Sequence, residues 1–413
     1  VAAPASKSVT QRVLACLLAR KGSTRIINPG FSADERIVMQ VLKDAGFMLT
    51  GTDDGHLDVR KPLERQPIVY VDFGESGLAA RMLTPILAIQ PNIVRLEASK
   101  GLKARPMSFI EDVLPKLGVR VATTNKHLPA TIQGPLHRGD VTLDASDTSQ
   151  PLTGLLIAFS VLNTSDQTIT VSNLVSKPYI DLTLSVMDMV GLPLPENRDY
   201  QSFYFPQSAS LRKLPETIVI EGDWSGAAFL LVAGAIAGKT TVTGLDAFTT
   251  QADKQVLNAL MECEVPLSIE HNRVTVSPAA RIRPFQFNAT DCPDLFPPLA
   301  ALACYAEGVS VLEGTDRLMN KESNRAVTVT DELRKLGADI TVQDNHMIIR
   351  GGNPLKGADV YGHNDHRIVM MCATAALGAD SPVTISGAEA VEKSYPRFFD
   401  DLRSLGAQVT GLG

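Results

Sequence analysis

No stretch of this 413-residue sequence is apolar for long enough to cross a membrane, and cations are not in excess. The formal net charge is −6, which leaves no overall electrostatic footprint for nucleic acid, so any basic site must be local. Cysteine is scarce and irregular. Cys16, Cys263, Cys292, Cys304 and Cys372 are odd in number and lack metal-ligand spacing, which argues against a disulfide framework and predicts free thiols in a reducing cytosol. GxSxG, HExxH and paired CxxC are absent, as is the glycine fingerprint of dinucleotide binding, so serine-hydrolase, zinc and Rossmann chemistry lose their usual signatures. "AGAIAGKTT" carries Ala233 where a P-loop needs its first glycine, and reads as a helix end followed by a strand. Val13–Ala19, flanked by Arg12 and Arg20, is too short for a secretory leader and has no small-residue cleavage site after it.

What is present is the composition of a soluble globular protein, 44% apolar and 20% charged, at a length that predicts two domains. An internal repeat organises them. "LKDAGFML", "LPKLGVRV", "MDMVGLPL", "LMECEVPL", "LRKLGADI" and "LRSLGAQV" each read as a helix end, a glycine just past it, and a strand start. The shared position falls at 46, 118, 191, 264, 337 and 406, and only the fourth copy departs, with Glu264 in place of glycine. A second series interleaves with the first. The apolar helices starting at "SKSVTQRVL", "GESGLAARML", "DTSQPLTGLL", "DWSGAAFLLV", "DCPDLFPPLA" and "NDHRIVMMC" each open on a capping residue. A unit of roughly 70 residues is longer than a solenoid repeat, which favours two closed domains of three units each. The hinge is expected around Leu214–Glu221, where Pro215 interrupts a charged stretch.

Polar chemistry gathers where these helices open. Lys7, Ser8 and Arg12 come first, then Arg81, Arg105, Thr148-Ser149-Gln150, and Ser176 with Lys177 and Tyr179. The second half adds Asp294, Lys321, Glu322 and Arg325, then Asp365-His366-Arg367, and Lys393. Each hydroxyl or carboxylate alone reads as an ordinary cap, and a lone first-turn arginine as a solvated residue. Arg81 is different, because "GLAARMLTPIL" surrounds it with apolar residues and a buried arginine needs an anion. Lys7 opposes the macrodipole of its own helix, which an anion bound there would reconcile. Lys321 and Arg325, four residues apart, are expected on one helix face. Together these features predict a small ligand with several negative charges and a sugar-like body, with Asp294, Glu322 or His366 as the general acid or base.

The ordered set "SKS…R", "RP" at Arg105, "TSQ", "SKPY", "KES.R" and "NDHR" resembles the 5-enolpyruvylshikimate-3-phosphate synthase family over nearly the whole chain. The resemblance implies an α/β protein of two inside-out α/β barrel domains, with six βαβαββ units, three per domain, and the active site in the interdomain cleft. The implied domains are residues 6–219, and residues 1–5 with 220–413. It also implies transfer of the enolpyruvyl group of phosphoenolpyruvate to shikimate 3-phosphate in a cytoplasmic monomer, with no cofactor, metal, nucleic-acid or membrane partner.

By the same resemblance, shikimate 3-phosphate falls to Lys7, Ser8, Arg12, Thr148, Ser149, Gln150, Ser176, Tyr179, Asp294 and Lys321. Phosphoenolpyruvate falls to Lys7, Gly77, Arg81, Arg105, Gln150, Arg325, Arg367 and Lys393. Asp294 is the expected base, and Glu322, helped by Lys321, the expected acid, with Lys7 and His366 in support. Ala5, Glu75-Ser76, Leu78, Met82 and Asn324 depart from the family pattern, and Glu75 brings a carboxylate toward an expected anion site. The rival on the same fold transfers enolpyruvyl to UDP-N-acetylglucosamine, but its loop cysteine is missing from "EASKGLKARP". A rival of another class is an anion-binding module without turnover, but Lys7, Asp294 and Glu322 are all present.

Overall fold

A computed structural model describes residues 1–64, 66–162, 166–207 and 210–411. The chain divides into two compact units, Lys7–Ile220 and Val1–Ser6 with Glu221–Gly413.

The Lys7–Ile220 unit opens with α1 (Lys7–Arg20), β1 (Thr24–Ile27), α2 (Ala33–Asp44), β2 (Met48–Gly51) and β3 (Leu57–Arg60). Then come β4 (Tyr70–Asp72), α3 (Gly77–Leu87), β5 (Ile93–Glu97), the short α4 (Lys100–Lys103) and α5 (Phe109–Asp112), β6 (Arg120–Thr124) and β7 (His127–Gln133). It closes with β8 (Val141–Asp144), α6 (Gln150–Val161), β9 (Gln167–Ser172), α7 (Lys177–Met189), β10 (Glu196–Arg198), β11 (Ser202–Phe205) and β12 (Thr217–Val219). The sheets run β12-β1-β3-β2, β4-β5-β7-β6 and β10-β11-β9-β8, each with one parallel pair and two antiparallel pairs.

The core of this unit is helical. α1, α3 and α6 pack on one another and are buried almost all round, with Gln11, Arg12 and Arg81 enclosed among their apolar residues. Gly154 lets α6 approach α3, because a Cβ there would lie 2.3 Å from the Met82 carbonyl oxygen.

The other unit takes its first residues from the chain start, where Ala2 bridges Thr243 in parallel and Ala5 bridges Gly222. It continues with α8 (Trp224–Ile236), β13 (Thr240–Thr243), α9 (Val256–Glu262), β14 (Leu267–Glu270), β15 (Arg273–Val276) and β16 (Gln286–Asn288). After these come α10 (Phe296–Tyr305), β17 (Gly308–Glu313), α11 (Arg325–Lys335), β18 (Asp339–Gln343), β19 (His346–Gly351), β20 (Asp359–Tyr361), α12 (His366–Ala376), β21 (Thr384–Ser386) and α13 (Phe398–Ser404). Its sheets run β13-β15-β14, β16-β17-β19-β18 and β20-β21, and α8, α10 and α12 form its buried helical centre. Among the described residues the sheets stay open, and none closes into a barrel.

The repeated glycine position has one conformation throughout. Gly46, Gly118, Gly191, Gly337 and Gly406 all have φ between +71° and +101°, and Glu264 adopts the same left-handed turn at +56°. Three copies differ from the sequence reading. Leu114–Leu117 before Gly118 is a 3-10 turn, the strand after Gly191 starts only at Glu196, and no strand follows Gly406 through residue 411. The five cysteines are buried free thiols, and no helix among the described residues is long and apolar enough to span a membrane.

Candidate active site

In the Lys7–Ile220 unit the candidate residues form two groups. Lys7 is the first residue of α1, and its Nζ lies 3.0 Å from Asp34 Oδ2 in the first turn of α2. That carboxylate offsets the charge that the α1 dipole disfavours. Arg12, one turn on, is buried; its Nε donates to Thr183 Oγ1 at 2.9 Å and its Nη1 to the Ser8 carbonyl at 2.9 Å. Burial lowers its pKa to about 10, so it stays charged at neutral pH. Ser176 caps α7 from the left-handed region, φ +56°, while buried. A non-glycine residue held there stores about 1–3 kcal/mol of strain, which fixes where the start of α7 points. Tyr179 sits in that first turn, its backbone N–H donating to the Ser176 carbonyl.

The second group lies at the starts of α3 and α6. Arg81 is 4% exposed, with Nη1 donating to Gln150 Oε1 at 3.1 Å and Nη2 to the Pro106 carbonyl at 3.0 Å. Gly77 makes the convergence possible, because a Cβ there would lie 2.7 Å from Arg105 Nη1 and 2.9 Å from Arg81 Nη1. Two guanidinium groups thus meet over the N-terminus of α3, an arrangement suited to a phosphate or carboxylate. Thr148 Oγ1 accepts from the Gln150 N–H at 3.3 Å, and Ser149 holds the position before α6 without a side-chain capping bond. Glu75 carries its carboxylate against Gly101 of α4.

The other unit gathers its charges tightly. Arg325, the first residue of α11, is 1% exposed and donates to three carboxylates: Nη1 to Asp294 at 2.8 Å, Nη2 to Glu322 at 2.6 Å, and Nε and Nη2 to Asp365 at 2.8 and 3.0 Å. Arg367 Nη2 donates to the other oxygen of Asp294 at 2.9 Å. Burial alone would lower the Arg325 pKa, but Asp365, Glu322 and Asp294 more than offset it. Burial alone would raise that of Asp294, but Arg367, Lys321 and Arg325 outweigh it and hold the carboxylate well below its ordinary range.

The structure corrects one expectation. Lys321 does not share a helix face with Arg325, because Asn324 takes the cap position and α11 begins only at Arg325. Lys321 still lies beside Asp294, and burial pushes its pKa down to about 8. His366 is buried at the start of α12, with Nδ1 3.9 Å from Asp365 Oδ1. Lys393 donates to the carbonyl of Asn364, the residue before Asp365, at 2.7 Å.

Two carboxylates escaped the sequence-based candidates: Asp34 and Asp253. Asp365 caps α12, accepting from the Arg367 N–H at 3.0 Å while it binds Arg325. The capping-box spacing Ser32…Glu35 was a signal for the start of α2 and hence for Asp34.

Solved structures share this fold. An EPSP synthase from Acinetobacter baumannii superposes with a TM-score of 0.81 at 23% identity, over 98% of this chain and 94% of that one. The enolpyruvyl transferase NikO from Streptomyces tendae gives 0.74 at 18% identity, over 99% and 94%. Sequence relatives are more similar. The 3-phosphoshikimate 1-carboxyvinyltransferase of Clostridium kluyveri is 32% identical over 98% of this chain and 94% of its own length. That of Aeropyrum pernix is 33% identical over 100% and 94%. The family model of EPSP synthase (3-phosphoshikimate 1-carboxyvinyltransferase) matches residues 1–402, and the chain belongs to that family.

Proposed function

We propose that this chain transfers the enolpyruvyl group of phosphoenolpyruvate to the 5-hydroxyl of shikimate 3-phosphate, releasing phosphate. The observation that carries the reading is Asp294 held between Arg325 and Arg367, with Glu322 on the same Arg325. Each guanidinium can exchange its bond to Asp294 for one to a substrate anion, and two carboxylates are placed to move protons.

In this mechanism Asp294 accepts the proton of the attacking hydroxyl, and Glu322, with Lys321 beside it, protonates the methylene carbon of phosphoenolpyruvate. The oxygen–carbon bond forms at C2 and gives a tetrahedral adduct. Return of a proton from the new methyl group to a carboxylate re-forms the double bond and expels phosphate. Anion docking on Arg325 and Arg367 draws their hydrogen bonds away from Asp294, so the base strengthens when its substrate is in place.

Lys7, Gly77, Arg81, Arg105, Gln150 and Lys393 complete the phosphoenolpyruvate set, and Lys7, Ser8, Arg12, Thr148, Ser149, Gln150, Ser176, Tyr179, Asp294 and Lys321 form the shikimate 3-phosphate set. His366 supports the phosphate of phosphoenolpyruvate or the acid. We read residues 6–219, and residues 1–5 with 220–413, as two domains of three βαβαββ units each, inside-out α/β barrels of a cytoplasmic monomer. The shared pairing pattern of the four-stranded sheets supports the repeat.

The test is product identity. With phosphoenolpyruvate labelled at C2 with carbon-13 and unlabelled shikimate 3-phosphate, NMR should show the label in an enol ether at the 5-oxygen. A label found only in unreacted phosphoenolpyruvate or in pyruvate refutes the assignment.

A further inference from the structure

Asp253 is 2% exposed and lies on a 3-10 turn, Ala252–Gln255, packed on the start of α8. Gln251 ties this turn down, accepting from the Trp224 N–H at 3.1 Å and donating to the Gly222 carbonyl at 2.8 Å. Asp253 Oδ2 accepts from the Ser225 hydroxyl, but the buried Oδ1 has no hydrogen-bond partner. Arg367 Nη1 is buried in the same condition.

The charged and titratable groups that interact electrostatically with Asp253 come from several elements: Asp223 at the cap of α8, Cys292 and Asp294 from the turn before α10, and Arg367 from α12. Carboxylates therefore outnumber the one guanidinium. Burial, with Asp294 nearby, pushes the Asp253 carboxyl up to about 7.

An ionised carboxylate with an unmet oxygen competes for a guanidinium that an anionic ligand also needs. We propose that Asp253 is a positioning residue that carries a proton while an anionic substrate group occupies Arg367, and that its ionisation withdraws Arg367 from that anion. One proton is taken up from solvent as the anion docks and is returned when it leaves. The proposal rests on Arg367 holding phosphoenolpyruvate.

The experiment measures KM for phosphoenolpyruvate from pH 6.5 to 9 in the wild-type protein, Asp253→Asn and Arg367→Ala. Asn is neutral, has the shape of the protonated acid and keeps an acceptor for Ser225. The ratio of wild-type to Asp253→Asn KM should climb with pH above 7, by up to about tenfold per unit for one linked proton. Lys321, with its pKa near 8, and phosphoenolpyruvate itself titrate alike in both proteins, so the ratio isolates Asp253. A purely structural role shifts KM by the same factor at every pH, and such a constant ratio overturns the proposal. If Asn does not fold, Asp253→Ser, equally non-ionising, carries the same test. A large KM increase in Arg367→Ala with a constant ratio sinks the Asp253 role alone. An unchanged KM in Arg367→Ala sinks the reading of Arg367 and the proposal with it.

Discussion

Asp365 and Arg325 form a buried ion pair in which one carboxylate takes two guanidinium hydrogen bonds, at 2.8 and 3.0 Å, with neither side chain more than 1% exposed. The pair aims the remaining donors of Arg325 at Asp294 and Glu322. Asp365→Asn keeps one oxygen to cap α12, removes the charge and turns the other acceptor, which Arg325 Nε and Ser323 bind, into an amide donor. Leaving Arg325 buried with that partner lost should cost about 3–5 kcal/mol. Urea unfolding measures this directly, and a loss below about 1 kcal/mol means the pair does not organise the cluster.

Asp294 and Glu322 are assigned to proton transfer, so Asp294→Ala and Glu322→Ala should each lower kcat by about 10²–10⁴-fold. Shikimate 3-phosphate should still bind both variants in calorimetry. Lys7→Met should weaken binding and turnover together, because Lys7 is assigned to both substrates. Wild-type turnover in Asp294→Ala would remove it as the base.

Glu264 occupies a left-handed turn that glycine fills in the other copies of the repeat. Relief of that conformation is worth about 1–2 kcal/mol. Against it stands about 0.4–1 kcal/mol of added unfolded-state freedom. Its ion pair with Arg283, 2.9 Å long, is more than half exposed and contributes little. Glu264→Gly should therefore stabilise the protein by about 0.5–1 kcal/mol in chemical denaturation, and a loss of stability contradicts the account.

Glu35 is buried against Gly30, its Oε2 accepting from the Ser32 N–H at 2.8 Å, and burial raises its pKa from 4.5 to about 7. The folded state thus binds more protons than the unfolded state across that window. Stability is fully present below about 4.5, falls as pH rises, and stays reduced above about 7, by on the order of 3 kcal/mol for this group. Glu35→Gln keeps the acceptor and removes the ionisation. Unfolding free energies at several pH values from 4.5 to 8 should decline less steeply in the variant than in the wild type, and parallel curves exclude Glu35 as a source of the slope.

The periodic features were legible in the sequence because they depend on local chemistry. A glycine past a helix end, a capping residue at a helix start and an apolar run each announce themselves within a few residues, which is why α1, α8 and α12 and the left-handed turns could be read. Glu264 shows that the turn is set by the fold even where the residue resists it. The partners of the charges were not legible, because they are distant along the chain. Lys7 meets Asp34 and Arg325 meets Asp365 only after folding, over 27 and 40 residues. Lys321 was misplaced onto a helix because the i,i+4 spacing was visible and the cap role of Asn324 was not.

The most direct measurement is phosphate release by the purified protein given phosphoenolpyruvate, with shikimate 3-phosphate in one reaction and UDP-N-acetylglucosamine in another. Release with shikimate 3-phosphate alone is the predicted result. Release with the nucleotide sugar, or silence in both reactions while shikimate 3-phosphate still binds, would contradict the account.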